Sequence, residues 1–113
     1  MVEISSEVES DICFITVKGD VDASSSIHLD QSINEATRQF KKILIDCQHL
    51  NYISSAGLGV FMSYINDLEE KEIKMILFNM SPKVHHVFEI LGLDQLLKIT
   101  GTEAEAKEIV NGV

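Results

Sequence analysis

The sequence predicts an α/β domain: a mixed sheet of four to five strands, opened by an antiparallel hairpin, with about four helices. Three observations lead there. Residues 2–18 carry two consecutive strand-like patterns. Beyond residue 22, apolar residues recur at helical spacing in separate segments. Short apolar runs, Ile43–Asp46 and Lys74–Phe78, lie between those segments. Strands separated by helices become parallel neighbours, because the crossover returns the chain to the same edge. The hairpin then supplies an antiparallel edge.

Val2, Ile4, Ser6 and Val8 alternate with Glu3, Ser5, Glu7 and Glu9, a period of two that marks a strand with one wet face. Ser10-Asp11 turns the chain, Ile12–Lys18 follows as a more apolar strand, and Gly19 is expected to end it. Asp22 to Ser26 offers several N-caps. The helix they open shows Leu29, Ile33, Ala36 and Phe40 on one face, and Ile43–Asp46 is then a buried strand. Gln48–Ile53 reads as a loop leading into a helix with Leu58, Phe61, Met62, Ile65 and Leu68 inward. After the strand Lys74–Phe78, Ser81-Pro82 starts a helix with a serine cap and a proline at its first position, where no donor is needed. Its inner stripe is Val84, Val87, Phe88 and Leu91, and Gly92 caps its end. Leu96–Ile99 suits a final short strand. Thr102-x-x-Glu105 is a capping box for a last helix reaching about Val110. The order is ββαβαβα(β)α.

A chain of 113 residues, 45% hydrophobic and 24% charged, is expected to form one domain, residues 1–113. Eighteen acidic against nine basic residues give −9. Such a surface repels nucleic acid phosphates and anionic lipid, so neither nucleic acid nor membrane is the expected partner. The N-terminal MVEISSEVESD is acidic and lacks the apolar stretch of an export signal. Cys13 and Cys47 sit in apolar runs, where a small buried thiol is the usual occupant, and a reducing cytoplasm is the expected setting.

Catalytic patterns are sparse. Gly57-Leu58-Gly59 lacks the third glycine of a phosphate loop. His85 and His86 are adjacent and diverge by about 100° on a helix, while His28 and His49 stand alone. The acidic runs read as solvated faces. No catalytic residue, metal or cofactor is therefore expected. The informative segment is Tyr52-Ile53-Ser54-Ser55-Ala56-Gly57-Leu58-Gly59-Val60, where two hydroxyls stand at a loop-to-helix junction. Plain N-capping explains such a pair. A helix N-terminus also has free amides and a positive dipole end, which suit a phosphoryl group. The small residues Ala56, Gly57 and Gly59 either leave the first turn open to a partner or serve close internal packing.

Ile53–Val60 resembles the signature of the stand-alone STAS domains that act as anti-sigma factor antagonists, usually Asp-Ser-(Ser/Thr)-Gly-Leu-Gly-Val. Val17-Lys18-Gly19-Asp20-Val21-Asp22 is similar to the family's Gly-(Asp/Glu)-aliphatic-Asp block. Asn79-Met80-Ser81-Pro82-Lys83-Val84, with Phe88 and Leu91-Gly92-Leu93, is similar to its Ser-Pro-x-Val block. The resemblance spans the chain and implies the STAS fold and partner switching. An unphosphorylated antagonist sequesters an anti-sigma factor that is a serine kinase of the histidine-kinase-like ATPase fold. Phosphorylation on the signature serine releases it, and a metal-dependent serine phosphatase resets the module.

Ser55 matches the phosphoacceptor, with Ser54 the alternative. Asp20, Asp22, Ser54, Ser55, Ala56, Gly57 and Gly59 match the partner-binding region. Two positions depart from the pattern: Ser54 stands where the family has aspartate, and Ala56 where it has a second hydroxyl. The competing readings are a STAS subunit of a lipid-transport or secretion-regulating assembly, and a weak nucleotide-binding enzyme.

Overall fold

The computed structural model describes residues 2–112. The elements run β1 (Val2–Glu9), β2 (Ile12–Val21), α1 (Ser26–Gln39), β3 (Lys42–Asp46), β4 (Leu50–Ile53), α2 (Ser55–Glu70), β5 (Lys74–Phe78), α3 (Pro82–Ile90), β6 (Lys98–Thr100) and α4 (Glu103–Val110). A 3-10 turn, Leu93–Gln95, joins α3 to β6. The sheet is ordered β1-β2-β3-β5-β6, with β4 set against the far end of β2. The hairpin β1–β2 is antiparallel, from Val2↔Gly19 to Glu9↔Ile12. Every other pairing is parallel.

Six strands therefore replace the expected four to five, and the segment Gln48–Ile53 is not simply a loop. Leu50 and Ile53 are buried while Asn51 and Tyr52 are exposed. That pattern has no period of two, so the strand is invisible to alternation. Gly19 does not end β2 either. It adopts φ 93, and the register shifts between Gly19 and Asp20. The bulge bends β2, whose last residues then pair with β4 after its first residues have paired with β3.

Helices α1, α2 and α3 cover one face. Leu29, Ile33, Leu58, Phe61, Val84 and Phe88 meet Ile15, Val17, Ile43, Ile45 and Leu77 there. On the other face α4 lays Ala106 and Val110 over Ile12, Leu44, Ile76 and Phe78. Strands β3 and β5 are thus buried on both sides, which is why their sequences read as continuous apolar runs. Ser81 and Thr102 cap α3 and α4 through the amides of Val84 and Glu105, each at 3.2 Å. Gly92, at φ 71, takes the left-handed position after α3.

Two expected core residues, and the first residue of the expected last strand, lie outside. Met62 is 51% exposed because the buried side of α2 is centred on Leu58, Phe61 and Tyr64. Leu91 is 54% exposed at the residue where α3 stops. Leu96 is 60% exposed because β6 begins only at Lys98. Tyr64 was not anticipated as an inward residue. Its hydroxyl donates to Asp30 Oδ1 at 2.8 Å, tying α2 to α1, and burial together with that carboxylate raises its pKa. Both thiols are buried, and burial pushes Cys47 up to about 12, so it stays a neutral apolar filler.

Phe88 is fully buried, with its ring 5.8 Å from that of Phe61. Phe88→Ala is expected to lower stability by about 3–5 kcal/mol, read as a fall in the urea midpoint at unchanged slope.

Candidate functional site

The carboxyl end of β2, the end of β4 and the start of α2 meet at one corner of the sheet. The tie is a hydrogen bond from the Ser54 amide to the Val21 carbonyl, 2.8 Å. Ser54 itself is extended (φ −81, ψ 171) and is the N-cap of α2. Its Oγ accepts from the Gly57 amide at 3.2 Å, and its carbonyl accepts from the Leu58 amide at 3.0 Å. The amide, the carbonyl and the hydroxyl oxygen of Ser54 are therefore all engaged. Aspartate and serine are comparable N-caps, so serine at this position keeps the cap that an aspartate would supply.

Ser55 differs from its neighbour. It is the first helical residue, and it is exposed. Among the described residues no hydrogen bond engages its hydroxyl, and the amides of Ser55 and Ala56 find no acceptor. Two orphan donors and the positive end of a helix of 16 residues thus lie beside a free hydroxyl. Ser55 and its alternative Ser54 are thus set apart by the cap.

The small residues split in the same way. A Cβ on Gly57 would lie 2.7 Å from Ile53 Cγ1 and 2.8 Å from Val21 Cγ1. Gly57 is buried, and its missing side chain lets α2 close onto β2 and β4. The internal-packing reading of the small residues thus applies to Gly57. Ala56 is exposed, and a Cβ on Gly59 would meet nothing within 4 Å. Ser55, Gly59 and Met62 share the outer side of α2, at intervals of four and three residues. The first charged residue of α2 is Asp67, in a chain that is 24% charged. Sequence reading missed Met62, which it placed inside, and Tyr52, which is 48% exposed and pairs with Asp20 in the ladder. The absence of charge from Ser55 to Asn66 is the signal that could have exposed this outer face.

The two aspartates have separate places. Asp20 is exposed, and among the described residues it forms no ion pair. The Asp22 carboxylate is committed to the turn before α1: its Oδ1 accepts from the Ser25 amide and from the hydroxyls of Ser24 and Ser25, each at 2.9 Å. Those bonds, that to the Ser25 amide foremost, hold it down to about 2. Among the described residues no cluster of His, Cys, Asp and Glu is arranged to hold a metal ion, and no helix is long and apolar enough to cross a membrane.

The two glycines are expected to respond oppositely to alanine. Gly57→Ala should cost about 1–3 kcal/mol by forcing Ile53 and Val21 aside. Gly59→Ala should be stabilising by up to about 1 kcal/mol through helix propensity. Urea denaturation of both variants checks the contrast. Asp22 should give a pH signature. Its folded pKa of about 2 lies below its ordinary value of 3.8, so its contribution is complete above 3.8 and disappears as pH falls toward 2. The stability gap between the wild type and Asp22→Asn should therefore be constant near neutrality and shrink across that acid window.

A STAS domain family model matches residues 3–106. The anti-sigma-B factor antagonist of Listeria monocytogenes is 29% identical over 102 residues, covering 88% of each chain. An anti-sigma factor antagonist from Mycobacterium paratuberculosis has the same fold, with a TM-score of 0.89 at 20% identity over 98% of this chain and 95% of that one. The unphosphorylated form of the anti-sigma factor antagonist SpoIIAA aligns with a TM-score of 0.73 at 24% identity, over 100% of both chains. SpoIIAA of Bacillus has also been solved in its phosphorylated form, which aligns at 0.70 and 24% identity, over 97% of this chain and 99% of that one. With residues 3–106 of its 113 matched by the family model, the chain belongs to the STAS domain family.

Proposed function

We propose that this chain is an anti-sigma factor antagonist of the phosphorylation-switched kind, acting by binding and not by catalysis. Unphosphorylated, it holds a serine kinase of the histidine-kinase-like ATPase fold. Phosphorylated on Ser55, it lets that kinase go, and a metal-dependent serine phosphatase restores the binding form in the cytoplasm. The observation that carries the proposal is the exposed, unengaged Ser55 hydroxyl beside the two orphan amides of α2. The relatives' names agree with the reading: the Listeria protein is an anti-sigma-B factor antagonist, and SpoIIAA exists in both phosphorylation states.

The physics of release is local. A phosphoserine carries about −1.5 to −2 charges at neutral pH. On Ser55 the free amides and the helix dipole favour that anion by about 0.3–1 kcal/mol, so the fold has no reason to rearrange. The partner has no such compensation. Across the uncharged outer side of α2 it would have to desolvate a dianion, with Asp20 adding negative charge at the same end. Burying an unpaired charge costs several kcal/mol, and about 4 kcal/mol is a thousandfold in affinity.

The test uses each serine kinase of this fold from the organism that encodes the chain, purified singly and mixed with the chain and ATP. One of them should add a single phosphate, placed on Ser55 by tandem mass spectrometry. Ser55→Ala should bind that kinase with wild-type affinity and remain bound in ATP. Ser55→Asp should bind at least tenfold more weakly. Phosphate found on Ser54 alone, or no complex with any of the kinases, would overturn the reading.

A further inference from the structure

A second feature lies at the other end of α2, among the first residues of β5 and β6. Strand β6 is three residues long and meets β5 only from Ile76 onward, at Ile76↔Lys98. Below that point the sheet edge is open. The gap forms a groove of about 330 Å³ between the C-terminal half of α2, the end of α4 and the segment Leu96–Lys98. Its surface is aliphatic, with Ile65, Leu68, Ile73, Leu97 and Ile109 among the lining residues. Leu96, 60% exposed, also lines it.

The polar lining is uneven. Lys74 and Lys98 both border the groove, with Glu69 on the α2 wall. Parallel pairing of Ile76 with Lys98 sets Lys98 and Lys74 on one face of the sheet, two residues out of step. Their Cα atoms are then about 8 Å apart, within reach of a common anion for two long side chains. Both lysines are exposed, and among the described residues neither forms an ion pair. Among the described residues one hydrogen bond reaches either ammonium, a long one from Lys74 Nζ to the Ile109 carbonyl at 3.4 Å. In a chain of net charge −9, with eighteen carboxylates available, two unneutralised ammonium groups beside an aliphatic groove are a local reversal of the surface.

We propose that this groove binds an amphiphilic anion, specifically an aliphatic monocarboxylate of about eight to twelve carbons. Its chain lies along the accessible Ile65, Leu68, Leu96 and Ile109, over a floor of buried Ile73 and Leu97, and its carboxylate lies between Lys74 and Lys98. The volume falls at the lower end of small-ligand sites, about 300–1,000 Å³. The segregation of apolar wall from cationic lip selects the ligand class. A bare inorganic anion would leave the aliphatic wall wet, and a neutral alkane derivative would leave the ammonium groups unused. The site is independent of the function proposed for Ser55, which lies about 20 Å away along α2.

The test is a titration of the full, unphosphorylated chain with hexanoate, octanoate and decanoate below their micelle concentrations, followed by methyl NMR. Shifts should concentrate on the methyls of Ile65, Leu68, Leu96, Leu97 and Ile109 and leave residues 53–60 unmoved. Each added methylene should tighten binding about fourfold. Decanol should bind at least fivefold more weakly than decanoate. The double variant Lys74→Gln, Lys98→Gln should lower decanoate affinity to that of decanol without shifting the melting temperature. Decanol binding as well as decanoate, unchanged affinity in the double variant, or shifts scattered over the whole surface would overturn the proposal. So would the absence of any shift in the groove at the highest soluble decanoate concentration.

Discussion

The pairing of β4 with the last three residues of β2 is the constraint on which the rest of this corner depends. β2 serves β3 along its first half and β4 along its end. It can do so only because Gly19, at φ 93, bends the strand at the register shift. A residue with a side chain is disfavoured in that conformation, so one glycine controls where the chain from Asp20 to Asp22 emerges. The Ser54 amide then closes the corner on the Val21 carbonyl, and α2 starts from a fixed point. Without this pairing Asp20 and Ser55 would belong to unrelated loops.

From that fixed point the work is divided between neighbours of similar chemistry. Ser54 caps and Ser55 is left free. Gly57 is closed against Ile53 and Val21, while Gly59 is open. Asp22 holds the turn before α1, while among the described residues Asp20 forms no ion pair. In each pair one member is consumed by the fold and the other is left at the surface. The consumed member is no less important to the site. Ser54 orients the amides beside Ser55, and Gly57 sets the depth at which α2 sits. A substitution at either would move the proposed acceptor without touching its hydroxyl.

Much of this was legible in the sequence, and the failures have physical causes. The hairpin, the four helices, the caps at Ser81 and Thr102 and the two-sided burial of β3 and β5 all follow from local pattern, because each depends on residues within one or two turns. β4 was not legible. Four residues with buried ends and an exposed middle fit neither period, and the strand exists only because β2 presents an unpaired end. Met62 misled the helical pattern because it sits one residue beside Phe61, at the margin of the inner stripe. Tyr64 escaped notice because its hydroxyl needed a partner, and that partner, Asp30, lies 34 residues earlier. The site's three motifs could be named from the letters. Their division into structural and exposed members could not, since it depends on which hydroxyl, carboxylate or Cα direction the corner encloses.

The rigidity beneath the corner bears on how a switch could work there. Val21, Ile53, Leu58 and Phe61, the residues directly under the start of α2, are 0%, 4%, 3% and 1% exposed. Close-packed interiors deform only by stepping between discrete packings. In this layer β2 and β4 are joined by backbone hydrogen bonds, the cap of α2 is tied to Val21, and Gly57 lies in close contact with Ile53 and Val21. A negative group added outside such a layer changes the surface potential and the shape presented to a partner long before it moves the core. The outer side of α2 suits that role because it has no charge of its own until Asp67. On a face already studded with charges, one more anion would be a small perturbation; on this one, a phosphate at the proposed acceptor would be the dominant electrostatic feature for a partner.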